Sequence, residues 1–317
     1  MVSPRFRSYR PLPHACLALA CLASLVLVAY QGSQLEQPDH DTTISVIAAT
    51  GHLTDYAEDA PPHRWTPASA WQRFWTPEDA VSWAKLSADL GARDIHPPLY
   101  FFVLSRYIDA AGVSLFGFAL LNGFLVLLTA PVVYLSARQL GYDAWPSAFA
   151  GGLYVLSGSV VQATVQARPY CLAGALVALF AWALIAFHNT PNLPRGIALS
   201  IATAASALTH YGTIPIMAGG YVAFLATTLW YARRPRFLTS LRAILPGALS
   251  VLVFLYTHPN FADSFRNQQS QSQPFSLDTL LPRIRSVTGS LIELVFPVTE
   301  TLQHTVPGYN LILVGIT

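Results

Sequence analysis

Four short stretches of this 317-residue chain carry side chains suited to acid–base or anion chemistry. Asp39-His40-Asp41 follows the first apolar run. A carboxylate there could act as a general base or a metal ligand, or could cap a helix. Asp94-Ile95-His96-Pro97-Pro98-Leu99-Tyr100 sets an acid and an imidazole at a corner stiffened by two prolines, which fix φ and lack an N–H. Such a corner starts a helix, and it also makes a rigid platform for an acid and a phosphate-binding imidazole. Gln166-Ala167-Arg168-Pro169-Tyr170 joins two apolar runs, with no carboxylate near Arg168 in sequence. That cation either snorkels to headgroups or holds an anion such as a phosphate. Thr209-His210-Tyr211 puts a histidine in an apolar run, where packing is the ordinary role.

The rest of the chain says what must position these groups. Hydrophobic residues make up 53% and charged residues 11%, where a soluble domain has about 25% charged. Mean hydropathy is +0.43. A soluble fold could not cover its surface with so few charges, and disordered or fibrous chains are excluded by the same composition. The expected class is an all-α, polytopic integral membrane protein. A net charge of +2 gives no reason to expect nucleic acid as a partner. Cys16, Cys21 and Cys171 lie in apolar runs, as buried thiols do.

A spanning helix takes about 20 mostly apolar residues. Residues 14–30 qualify, preceded by Arg5, Arg7 and Arg10, and read as an uncleaved anchor. Further spans are expected at 113–137, 144–161, 170–187, 196–208, 214–231 and 243–256. The 196–208 run is short and must borrow residues 209–212. Residues 309–317 read as the start of a span cut short. The arginine distribution puts the N-terminus, Arg138, Arg195 and the Arg233, Arg234, Arg236, Arg242 cluster inside. The loops at Arg168 and His210 then face out, with the segment 31–95.

Residues 97–112 are apolar but short of a crossing, and both ends must be outside, so they read as an interfacial or re-entrant helix. The domain plan is one unit over 1–317: an outer loop with interfacial helices at 31–112, a bundle at 113–258 and a second outer loop at 259–308. Eleven of the sixteen carboxylates fall between Glu36 and Asp109. Within this outer segment a short helix is expected at 41–52, capped by Asp39 or Asp41. Thr76-Pro77-Glu78-Asp79 has the form of a helix start, and residues 71–90, with Trp71, Phe74, Trp75 and Trp83, suit helices lying on the bilayer.

Topology therefore collects Asp41, Asp94, His96, Arg168 and His210 at one membrane–water boundary. A carboxylate base beside cationic phosphate holders suits transfer of a group from a lipid-linked phosphate to an acceptor outside the membrane. Asp41 and Arg168 are expected within about 15 Å of each other, the reach of one substrate.

These four boxes, in this order, resemble those of the GT-C membrane glycosyltransferases, specifically bacterial relatives of the protein O-mannosyltransferases and lipid A aminoarabinose transferases. The resemblance covers about residues 17–231. It implies a GT-C-like helix bundle in the cell (inner) membrane, with the active site on the outer face. It implies a polyprenyl-phosphate-linked sugar as donor, and a glycan, lipid or protein as acceptor. It makes Asp41 the catalytic base, His96 and Arg168 neighbours of the donor phosphate, and Asp94, His210 and Tyr211 further substrate-binding positions. The family often has Asp-Glu where this chain has Asp41-Thr42, and Glu where it has Gln166. A divalent metal ion is a cofactor that the resemblance leaves open. The alternatives are a non-catalytic or truncated member that binds polyprenyl phosphate, and a transporter. A transporter is disfavoured by the lack of an internal repeat and by polar groups confined to one face.

Overall fold

The computed structural model describes residues 11–60, 66–77, 81–94, 96–231, 250–252, 254, 256 and 261. The Arg5–Arg10 group, Glu78-Asp79, the Arg233–Arg242 cluster, most of 243–256, and all of 259–317 but Phe261 lie outside the described residues. Within them every regular element is a helix, twelve in all. Three are long and apolar enough to cross a membrane: α1 (Pro11–Ser33), α7 (Leu115–Gln139) and α10 (Tyr170–Asn189). Leu19, Leu22, Val26, Phe124, Leu128 and Phe149 stay exposed along this body. Such an apolar surface is disfavoured in water and natural in lipid.

Small residues let the long helices approach closely. In α7, a Cβ added to Gly123 would lie 2.9 Å from Val28 of α1. Helix α8 (Ala144–Leu156) touches both helices through Gly151, where a Cβ would meet the Ala130 carbonyl at 2.9 Å and Leu17 at 3.0 Å. Lipid supplies no hydrophobic drive between helices, so close backbone contact of this kind is what holds a bundle. Gly32 meets Ala119 at one end of the α1–α7 pair, and His14 Nε2 meets the Tyr134 hydroxyl at 3.0 Å towards the other. The two helices are therefore antiparallel.

One expected span is broken. Residues 144–161 do not form a single helix: α8 ends at Leu156 and α9 (Gly158–Thr164) starts anew. Ser157 is extended, and its hydroxyl accepts the Val160 N–H. A serine that bonds the backbone ahead of it competes with helix continuation, and glycine follows to weaken it further. The short 196–208 run gains its length at the other end from the one expected. Helix α11 (Leu193–Thr209) is capped by Asn192 and opens with Pro194 in its first turn. It ends at His210, and α12 (Thr213–Tyr231) follows after a tight corner.

The segment that follows α1 builds its own small core. It holds α2 (His40–Ala49), α3 (Leu53–Asp59), α4 (Ala68–Trp75) and α5 (Trp83–Arg93). Phe74, Leu86 and Leu90 bury against Ile47 of α2 and Phe101 of α6 (Leu99–Ala111). The apolar faces of α4 and α5 are thus spent on protein contacts, not only on the bilayer surface expected from 71–90. Thr76 ends α4, and Ser82 caps α5 through the Lys85 N–H. Helix α6 buries Tyr100, Leu104 and Ile108, and ends at Gly112 with φ +78°, a left-handed conformation that glycine adopts without strain.

Asp39 is the cap of α2, accepting the Thr42 N–H at 2.6 Å. Asp39→Ala should therefore destabilise the segment built on α2 by about 1 kcal/mol, while Asp39→Asn stays near wild type. Thermal unfolding in detergent, followed by tryptophan fluorescence, checks the contrast.

Candidate active site

Helix α2 carries Asp41 in its first turn and Ser45 one turn later, on the same face. Facing them is the corner between α9 and α10. There Arg168 precedes Pro169, which restricts Arg168 to extended backbone and starts α10. The Arg168 N–H closes a three-residue turn on the Gln166 carbonyl at 2.8 Å. The Ala167 N–H donates to Thr42 Oγ1 at 3.1 Å, pinning the corner to α2.

From this corner the Arg168 guanidinium reaches three side chains. Its Nη2 lies 3.5 Å from Asp41 Oδ2 and 3.3 Å from His96 Nε2, and its Nη1 lies 3.5 Å from Ser45 Oγ. His96 Nδ1 in turn lies 2.7 Å from Asp94 Oδ1. An arginine only donates, so His96 Nε2 accepts and its Nδ1–H donates to Asp94. In this arrangement His96 steadies Arg168 and does not itself present a donor to an anion. Asp94 acts one step further back, on His96.

Burial grades these groups. The Arg168 side chain is 8% exposed, Asp94 11%, His96 13% and Asp41 56%. The cation forms the floor and the carboxylate is open to an incoming molecule. All three guanidinium contacts are longer than the 2.7–3.2 Å of a strong N–H···O bond. Its Nε is buried with no hydrogen-bond partner among the described residues. A guanidinium with five donors and only long contacts, almost out of water, has capacity for a further anion.

His210 stands beside His96, ring centroids 5.9 Å apart, and beside Tyr170 at the same separation. Its Nδ1 accepts the Gly212 N–H at 2.9 Å, which leaves Nε2 as the donor nitrogen. Burial pushes its pKa below the usual histidine value, and the neighbouring His96 and Arg168 push the same way. The imidazole is thereby kept neutral around pH 7.

The five groups Asp41, Asp94, His96, Arg168 and His210 thus meet, with 127 positions separating Asp41 from Arg168 (168 − 41). Tyr211 does not join them. Its ring packs on Phe254 and Phe261 in the apolar cluster with Leu208 and Met217. Arg138 and Arg195 lie at the opposite end of the long helices, where Asn189 bonds the Gln139 carbonyl and Arg195 bonds that of Ala186. Three supporting residues were not singled out from sequence. Ser45 was legible as the next turn of α2 after Asp41. The Thr42 hydroxyl fastens the Arg168 corner. Asn122 is a fully buried amide in the apolar N-terminal half of α7, a signal in itself.

Comparison of the chain with family models, curated proteins and solved structures finds no match.

Proposed function

We propose that this protein is a membrane glycosyltransferase that moves a sugar from a polyprenyl-phosphate donor to an acceptor outside the membrane. The protein is multi-pass in the cell membrane, with its N-terminus in the cytoplasm and the Asp41–Arg168 site on the outer face. The observation that carries this is the pairing of an open carboxylate with a nearly buried, under-coordinated guanidinium, at the ends of helices apolar enough to span lipid. The acceptor is a hydroxyl of a glycan, lipid or protein.

In the reaction Asp41 takes the proton of the acceptor hydroxyl. The acceptor oxygen forms a bond to the anomeric carbon as the bond from that carbon to the phosphate oxygen breaks. The electron pair leaves with the phosphate, whose growing charge is met by Arg168 and by the Nε2–H of His210. Asp94 and His96 hold Arg168 in place. Without donor, Arg168 rests against Asp41. A donor phosphate offers the guanidinium a better acceptor and leaves the carboxylate to the hydroxyl.

A divalent metal fits this donor set poorly. Asp41 faces a guanidinium, the Thr42 hydroxyl is taken by the Ala167 N–H, and Asp94 is directed at His96. Among the described residues no group of three or more His, Cys, Asp and Glu side chains is gathered as metal ligands. The steps above use none.

The test is reconstitution of the chain in proteoliposomes with polyprenyl-phosphate-linked hexoses and pentoses, each offered with candidate acceptors. The expected result is sugar transfer with release of polyprenyl phosphate. Binding of polyprenyl phosphate with no transfer across the donors would favour the non-catalytic alternative. Absence of both would end the proposal.

A further inference from the structure

We infer that Asn122, in the N-terminal third of α7 and away from the reacting groups, is a positioning residue that sets where Arg168 sits. The inference rests on the reading of Arg168 as the holder of the donor phosphate. Asn122 is wholly buried. Its amide nitrogen donates to two carbonyls of the α9–α10 corner, Gln166 O at 2.6 Å and Thr164 O at 3.2 Å. Its amide oxygen accepts the Tyr100 hydroxyl at 3.4 Å. Both amide hydrogens and the carbonyl are used, and no other uncharged side chain offers two donors and an acceptor so compactly.

The partners give these bonds a direction. Gln166 O, which receives the shorter bond, is also the acceptor of the Arg168 N–H. One carbonyl therefore links the Asn122 side chain to the backbone of Arg168. Tyr100 belongs to the proline-led box that carries Asp94 and His96, and lies four residues past His96, in the first turn of α6. Asn122 thus ties the corner bearing the cation to the helix whose start bears the imidazole. The 3.3 Å contact between Arg168 and His96 joins the same two stretches of chain, and Asn122 adds a second tie between them.

An apolar residue at 122 would pack well in this part of α7, beside Phe118 and Tyr100. It would leave the Gln166 carbonyl with the Arg168 N–H alone, and the buried Thr164 carbonyl and the Tyr100 phenol to find other partners, and the corner would shift to supply them. A shift of about 1 Å at a positioning contact costs up to a hundredfold in function.

The test uses the whole chain in detergent, with farnesyl phosphate as a soluble polyprenyl phosphate, titrated by calorimetry or ³¹P NMR. Wild type should bind and Arg168→Gln should not. If wild type fails to bind, or Arg168→Gln binds equally well, Arg168 does not hold the phosphate and the inference falls with that reading. Given Arg168-dependent binding, Asn122→Leu should weaken it by about ten- to a hundredfold with the helical content retained. Tyr100→Phe, which spares both donations to the corner, should weaken it much less. Unchanged binding by a folded Asn122→Leu protein would overturn the inference while leaving Arg168 in its role.

Should Asn122→Leu not fold, Asn122→Asp decides. It keeps the shape and still accepts from Tyr100. It can donate to the corner only when protonated, so its affinity relative to wild type should drop as pH rises. A constant ratio across pH would count against positioning, because a purely structural role for the amide predicts no such slope.

Discussion

Asp41→Asn should lower sugar transfer by roughly 10²–10⁴ while the protein inserts and folds as wild type. The two can be separated because capping and chemistry fall on different carboxylates. Asp39 caps α2 through the Thr42 N–H, whereas Asp41 points its carboxylate to Arg168 and remains more than half exposed. Asparagine at 41 keeps the shape and an oxygen facing the guanidinium, but cannot take a proton. The loss should appear in kcat. The donor KM should not rise, since removing a negative charge beside the phosphate site does nothing to weaken phosphate binding. Steady-state transfer kinetics with the donor varied, together with a thermal melt, give both quantities. Wild-type turnover by the Asn variant would remove Asp41 as base. The remaining carboxylates of the site are already engaged, Asp39 with Thr42 N–H and Asp94 with His96.

Arg168→Lys should fail almost as badly as Arg168→Gln, with transfer down by about 10²–10³ and the donor KM raised. A lysine keeps the charge but presents it as a point on a flexible stem. It cannot reach Asp41, Ser45 and His96 together from the place that the Gln166 turn assigns to its backbone. The pattern expected is that geometry matters nearly as much as charge. Kinetics of the three proteins, with the donor varied, test this. A lysine variant near wild-type activity would mean that the long guanidinium contacts are incidental and that only a positive charge is needed. His96→Ala should fall between wild type and the Arg168 variants, because Arg168 would keep its place in the corner but lose the side chain that steadies it.

Much of the architecture follows from local patterns. Twenty-residue apolar runs must be helices if they are to lie in lipid, since every backbone group then bonds within its own segment. That is why α1, α7 and α10 were recognisable, and why the polar boxes fell at the ends of runs. Proline and glycine placed other boundaries: the start of α6 after Pro97-Pro98 and its stop at Gly112. The break at Ser157 was not legible. A serine in an apolar run can bond back into its own helix or forward to cap a new one, and the choice depends on what packs around it. The same holds for 71–90. An amphipathic face reveals that something apolar covers it, but not whether that is lipid or the side chains of Ile47 and Phe101.

The site divides along the same line. Residue types and order alone determined that Asp41, Asp94, His96, Arg168 and His210 share one end of the molecule, because each sits where an apolar run begins or ends. Tertiary structure alone decided what each of them touches there. Asp39 and Asp41 are two positions apart and chemically identical, yet one closes a helix and the other faces a cation supplied 127 positions later. His96, expected beside a phosphate, has its Nε2 turned to the Arg168 guanidinium and its Nδ1 to Asp94. Tyr211 turns into the apolar cluster while its neighbour His210 turns to the site. Hydrogen-bond energy depends on separations of tenths of an ångström and on direction. Those separations depend on where Asn122 and Thr42 hold the Arg168 corner, contacts between residues far apart in the chain.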